Sequence, residues 1–285
     1  MIAAVARLTI LMPLKRFHPR HLEHALRSVE LQTSPAWRLS IVVDRPDLAR
    51  FGAMLAARLT DSRVALVPST GRGLAAALNT GMRTATTEFV AILLADDMWA
   101  PEAVAVLTRY IDSHPDVDLF HSSRRIIDGD GNPISGVHRS RDVVTAADFE
   151  RGSPVKHLLC WRVSAGLAAG GLDESLDSVG PDDWDFPWTM AERGARFLAV
   201  SECLYLYRDH RDSYRLTTHL PLSHHKREIR KIMSKHGVDR RTIETRLAEA
   251  ERGYLRQCLY RSRLDRWLKQ RLRYDAREGW RDSYR

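Results

Sequence analysis

Between residues 7 and 111 the hydrophobic pattern keeps changing period, and this alternation constrains the fold more than any other feature. The runs RLTILMPL (7–14), WRLSIVV (37–43), RVALV (63–67) and EFVAILLA (88–95) are short and apolar, as buried strands are. Between the first two, HLEHALRSVEL (21–31) sets Leu22, Ala25, Leu26 and Val29 on one helical face. Helices are expected over 48–59 and 73–84, and Pro101 opens another through Ile111, because a first helical turn tolerates proline. Such alternation predicts a mostly parallel sheet with helices on its faces. Ligands in these sheets bind beyond the carboxyl ends of the strands. The residues to read are therefore Pro13, Asp44, the turn 69–73, and the adjacent acids Asp96 and Asp97.

The middle of the chain, 118–200, is less regular. DGDGNP (128–133) signals a turn, 181–192 a short helix with acids in its first turn, and 196–200 and 203–207 two closing strands. After residue 223 the pattern turns helical, with a stop at Gly237 and a long stretch over 240–274. Apolar residues make up 44% of the chain, enough for an ordinary core, which excludes disorder as the main state. No apolar run approaches the roughly 18 residues that span a bilayer, and no basic segment precedes the first apolar stretch, so a secretory signal is not expected. Three scattered cysteines, Cys160, Cys203 and Cys258, form no disulfide framework and fit a reducing cytoplasm.

The formal charge of +8 is unevenly distributed. Residues 222–285 hold 19 Lys and Arg against 9 Asp and Glu, so the preceding 221 are close to neutral. The basic pI describes a tail, and an argument for nucleic-acid binding from overall charge fails.

Several chemistries are excluded by missing motifs. No glycine-rich fingerprint follows the first strand, where PLKRFHP stands, which disfavours a dinucleotide enzyme. GxxxxGK[ST], GxSxG and HExxH are absent. What is present is carboxylate: Asp44 after the second strand and Asp96-Asp97 after the fourth. Such acids can bond a ribose or base, and a pair can hold Mg²⁺ or Mn²⁺ against a diphosphate. Taken singly, each is equally well read as a loop or capping residue.

Taken in order, TILMPLKRF, HALRSVELQT, LSIVVDRPD, GRGLAAALNTGM, TEFVAILLADDMWAPEAV and GPDDWDFPWTMAERG resemble the family 2 glycosyltransferases of the GT-A fold. Ser28 and Gln32 match a SxxxQ helix motif, Asn79 and Gly81 an NxG, and YRDHRDS (207–213) a YRxHxxS segment. The resemblance covers residues 8 to 213. It implies an α/β fold, a GT-A type Rossmann-like and mostly parallel sheet with flanking helices, followed by a C-terminal helical extension. The expected division is a catalytic domain over 1–221, with a donor half 1–115 and an acceptor half 116–221, and a basic extension over 222–285.

The resemblance also assigns roles. Pro13, Asp44, Arg72 and Asp96 would contact the nucleotide sugar, and Asp96, Asp97 and His210 would hold the metal. Asp183, in PDDWDF, corresponds to the general base of an inverting transfer, with Asp182 and Asp185 as support; without the resemblance these acids would merely complement a helix N-terminus. Two departures stand out: Leu94 occupies the position of the first acid of DxDD, and Arg45 that of the second acid of VVDD. Trp161, Trp184 and Trp188 offer stacking surfaces or core.

The expectation is thus a cytoplasmic glycosyltransferase of polysaccharide or natural-product assembly, with a nucleotide-diphosphate sugar donor and an unidentified hydroxyl acceptor. Its alternatives are a catalytically impaired GT-A scaffold acting through its tail and a nucleotidyltransferase. The tail is expected first to pack on the domain or dimerise, second to touch the inner face of a membrane, and only third to meet nucleic acid.

Overall fold

The computed structural model describes residues 6–176, 180–209 and 221–260. His210, the rest of YRDHRDS beyond Asp209, and the part of 240–274 after residue 260 lie outside them.

The expected alternation holds. β1 (Leu8–Leu14), α1 (Pro19–Glu30), β2 (Trp37–Val43), α2 (Leu48–Met54), β3 (Val64–Pro68), α3 (Gly73–Thr84) and β4 (Phe89–Ile92) follow one another. Next come a short β5 (Met98–Trp99), α4 (Ala103–Ser113), β6 (Leu119–Ile127), β7 (Pro133–His138), β8 (Leu159–Arg162) and α5 (Val163–Ala168). α6 (Phe186–Glu192), β9 (Phe197–Arg208), α7 (Leu222–Lys235) and α8 (Arg240–Tyr260) complete the described elements. One mixed sheet runs in the order β3-β2-β1-β4-β8-β6-β9-β5, with β7 on β6. β3, β2, β1 and β4 are parallel, β8 is antiparallel to both its neighbours, and β6 and β9 are again parallel.

Both faces of the first strands are buried, which is why they read as continuous apolar runs rather than alternating ones. Leu8, Ile10, Met12 and Leu14 join Phe89, Ala91 and Leu93 in a core shared with α1 and α4. Leu11, Val90 and Ile92 face the opposite core, built with α3, α6, α7 and α8. α3 lies close on the sheet because Gly81 has no side chain: a Cβ there would stand 2.8 Å from Leu11 Cδ2.

Three differences from the sequence reading have physical causes. The run 88–95 pairs only over Phe89–Ile92, since the chain then turns through the two acids into β5. The two expected closing strands are one, β9, which stays on β6 through register shifts around Ser122 and Ser123. β6 itself was hidden by its polar residues, His121 to Arg125, which reside in the middle of a sheet. The tryptophans are core: Trp161, Trp184 and Trp188 are all at most 6% exposed.

Candidate active site

The carboxyl ends of β1, β2 and β4 form one edge, and the expected donor residues line it. Pro13 pairs with Val42 across β1 and β2. Asp44, just past β2, bonds Lys15, just past β1, at 2.8 Å. Arg72 is exposed and immediately precedes α3.

Asp96 and Asp97 form the turn between β4 and β5, and they are differently placed. Asp96 is half-buried, whereas Asp97 is 1% exposed. Asp97 accepts from the Tyr205 hydroxyl at 2.6 Å and from the backbone N–H of Arg208 at 2.7 Å. Burial, and then the charge of Asp96, push the Asp97 carboxyl up to about 7. The Arg208 guanidinium fastens the turn from below. It donates to the carbonyls of Asp96 at 2.6 Å and of Asp128 and Gly129 at 3.0 Å, and to His24 Nδ1 at 3.3 Å. A cation buried to 1% exposure is thus satisfied by carbonyls and an imidazole rather than by a carboxylate.

The SxxxQ motif acts just beyond that turn, on the segment Trp99 to Val104. Gln32 donates to the carbonyls of Ser28 and Ala100, both at 2.8 Å, and its Oε1 accepts from the N–H of Val104 at 2.8 Å. Val104 is in the first turn of α4, where an N–H has no helical partner, so Gln32 caps α4 from α1. Ser28 Oγ accepts from Trp99 N at 3.2 Å. Asn79 ties the two halves together: it donates to the Leu172 carbonyl at 2.9 Å and accepts from Leu172 N at 2.8 Å.

Asp183 sits half-buried in the π-helical turn Pro181–Asp185, entered through Gly180 in the left-handed region. The Ser153 hydroxyl donates to the Asp183 carbonyl, and His157 Nε2 meets Asp182 Oδ2 at 3.1 Å. Burial, then the charge of Asp182, raise the Asp183 carboxyl above its ordinary value; the charges of His157 and Arg124 oppose that. For His157 burial pulls downward, but Asp182 and Asp183 outweigh it and the net shift is upward. The His157 and Tyr205 rings are 5.4 Å apart. The acids after β4 and the acids of the 181–185 turn, far apart in sequence, are thereby joined through Tyr205 and His157.

Asp185 faces away from this line. Its buried carboxylate accepts from Lys235 at 2.8 Å and pairs with His236 Nε2 at 3.0 Å, while the His236 ring stacks on Trp188 at 4.1 Å. Sequence reasoning missed Tyr205, Arg208, His157 and His236. Only Arg208 carried a signal, as the arginine of YRDHRDS.

Among the described residues no group of three or more His, Cys, Asp or Glu side chains is gathered around a metal position. With both oxygens of Asp97 bonded, the turn fits a divalent ion bound chiefly by diphosphate oxygens, as Mg²⁺ often is with only one or two carboxylates.

A sequence model described as Glycosyl transferase family 2 matches residues 9–163. The O-antigen biosynthesis protein RfbC of Myxococcus xanthus is 27% identical over 219 residues, which are 72% of this chain and 16% of that protein. The chain thus spans a small part of that curated relative's length. Two solved structures share the fold. The mannosyltransferase PcManGT from Pyrobaculum calidifontis, in complex with GDP-Man and Mn²⁺, superposes with a TM-score of 0.61 at 18% identity, over 99% of this chain and 85% of that one. S. aureus TarS 1–349 with UDP-GlcNAc gives 0.59 at 18% identity, over 90% and 74%. The architecture is that of these glycosyltransferases, as the resemblance implied. No helix among the described residues is long and apolar enough to cross a membrane.

Proposed function

Because the chain belongs to glycosyl transferase family 2, we propose that it transfers a sugar from a nucleotide diphosphate to an acceptor hydroxyl with inversion, Asp183 serving as general base. The observation that carries this reading is the Asp97–Tyr205–His157–Asp182 line, which couples the two acid clusters that such a reaction needs on either side of the anomeric carbon. GDP-Man and UDP-GlcNAc in the two structural relatives agree with a nucleotide-sugar donor.

In this reading Pro13, Asp44 and Arg72 line the nucleotide's approach along the strand ends. Asp183 takes the proton of the acceptor hydroxyl as its oxygen attacks the anomeric carbon. The bond from that carbon to the diphosphate oxygen breaks, and its electron pair leaves with the nucleotide diphosphate. A raised carboxyl pKa suits the base, because its conjugate acid is then less acidic. Arg208 and Tyr205 hold the Asp96-Asp97 turn, so that Asp96 meets the diphosphate side with its backbone fixed. A divalent ion, Mg²⁺ or Mn²⁺, would be held by Asp96 with Asp97 behind it, and supplies positive charge to the leaving diphosphate. His210 is proposed as a further ligand on the sequence resemblance alone. A catalytic domain over 1–221 remains the proposed division, with the helical extension as support and a second copy or an anionic membrane surface as its further contacts.

The test is calorimetric titration of UDP, GDP, CDP and dTDP, with and without Mn²⁺, into the full chain and its Asp183→Asn variant. One nucleotide is expected to bind both proteins equally, and the variant to lose transfer of the matching sugar by about 100-fold or more. Failure of all four to bind sinks the transferase reading; full activity of the variant removes Asp183 as base.

A further inference from the structure

Behind Asp183 the sheet carries basic side chains that form no ion pair among the described residues, although the charge of Arg124 is felt at Asp183. Arg124, on β6, lies opposite His138 on β7 and level with Tyr205 on β9. The segment 153–157 runs against the base turn, held at one end by Ser153 on the Asp183 carbonyl and at the other by His157 on Asp182. Lys156 lies between those two anchors, and its charge acts on Arg124, His121 and His138.

Neither Arg124 nor Lys156 has a hydrogen-bond or ion-pair partner among the described residues, although both are half-buried. The Arg124 guanidinium lies over the Tyr207 ring at 5.1 Å, and its Nε is buried with no hydrogen-bond partner among the described residues. His121, also on β6, is 1% exposed, and neither of its ring nitrogens is bonded. Buried polar atoms are normally paired, and buried cations nearly always are. Here the charges also repel. Burial and then Arg124 lower Lys156; burial and then Lys156 pull His121 down to about 4; burial, Arg124 and Lys156 lower His138. Both rings are therefore neutral near pH 7, and that of His121 has an unbonded N–H to donate.

We propose that the acceptor carries a phosphate group, received by Arg124 and Lys156 with the His121 and His138 rings, so that the hydroxyl beside that phosphate is presented to Asp183. This names the acceptor class within the transferase reading and rests on it. Two fixed positive charges and neutral N–H donors match a phosphate's charge and several oxygens better than a carboxylate's single charge. The cradle is fastened to the 181–185 turn, whereas Asp44 and Arg72 stand at the other strand ends, which assigns the anion to the acceptor rather than the donor.

The test uses the full chain at constant ionic strength, made up with chloride. Inorganic phosphate, glycerol 3-phosphate and the diester glycerophosphoglycerol are titrated into the wild type, Arg124→Gln, Lys156→Met and, as a control at an exposed site, Arg139→Gln. Phosphate is expected to bind the wild type and the control alike, and about tenfold more weakly to either cradle variant. Nucleoside diphosphate affinity should stay within about twofold in all four proteins. The tighter of the two esters tells a terminal phosphate from a bridging one. Lys156→Met removes a half-buried cation that has no ion pair among the described residues and is repelled by Arg124, so in phosphate-free buffer its Tm should equal or exceed that of the wild type; if Arg124→Gln does not fold, Lys156→Met carries the test. No phosphate binding, equal binding by the cradle variants, or a loss of nucleotide affinity in them overturns the proposal. Phosphate binding with no nucleotide binding would sink the transferase reading and leave the cradle standing.

Discussion

At the scale of single residues, what distinguishes this site is that its acids are unequal. Asp97 is enclosed and bonded on both oxygens, Asp182 is spent on His157, Asp185 on Lys235 and His236, and Asp183 is only half-buried. Four aspartates of identical chemistry are sorted by environment alone. The pH dependence follows from that sorting. Asp183 has its pKa raised, so the base is competent above the raised value and lost as pH falls through it, and the acid limb of kcat/KM should lie above the ordinary carboxylate range. His157⁺ opposes the upward shift. Replacing it by neutral glutamine, His157→Gln, should move that limb to higher pH, measured on kcat/KM with the sugar nucleotide that binds; an unmoved limb would separate His157 from the base. The linkage to stability runs the other way. A carboxyl with a raised folded pKa, and an imidazole with a raised one, both hold their protons more tightly when folded, so each contributes stability at low pH that is lost as pH rises through its folded value.

At the scale of elements, the sequence motifs prove to be fasteners. Gln32 closes three hydrogen bonds between α1, the turn after β5 and the start of α4. Gln32→Ala leaves the Val104 N–H and the Ala100 carbonyl without that partner. The expected cost is about 1–3 kcal/mol in denaturant unfolding. Since the fastened segment, Trp99 to Val104, follows directly on the Asp96-Asp97 turn, nucleotide affinity should fall as well; a loss of stability with affinity untouched would confine Gln32 to the fold. Asn79→Ala cuts a different tie, between α3 and the loop at Leu172, and should cost a similar about 1–3 kcal/mol while leaving the Asp96-Asp97 turn alone. None of these roles was legible from periodicity. SxxxQ and NxG were recognisable strings, but what a glutamine bonds 68 residues away depends on how two helices meet.

At the scale of the molecule, the helices after residue 221 belong to the second core. Ile229, Ile232 and Met233 of α7 and Ile243 and Leu247 of α8 are buried with Trp184, Phe186 and Trp188 of the base helix. Lys226 pairs with Glu251 and Arg230 with Glu244 across the two helices, which accounts for part of the tail's charge. His236, its side chain enclosed, joins the buried Asp185 to the exposed end of α6 through Glu192 at 2.9 Å. His236→Ala removes one partner of a buried carboxylate and opens a gap against Trp188. With Lys235 still present the cost should be about 2–4 kcal/mol, read by denaturant unfolding, and turnover should fall more than nucleotide affinity because the base turn is what loosens. An unchanged midpoint would mean that α7 is not needed to hold that turn.

The first four strands, their helices and the edge at which Pro13, Asp44, Asp96 and Asp97 meet were legible in the chain alone. Local period and hydrophobicity set those features, and a sheet buried on both faces writes them plainly. The sequence also carried, as ordered motifs, the family and the candidate base. Which acid is enclosed, which is paired and which is left half-buried was settled by tertiary contacts, because burial and hydrogen bonding come from partners distant in the chain: Tyr205 and Arg208 for Asp97, His157 for Asp182, His236 for Asp185. For the same reason the unpaired cations of β6 were illegible, since a lone Arg or His in a sequence does not reveal whether anything stands opposite it.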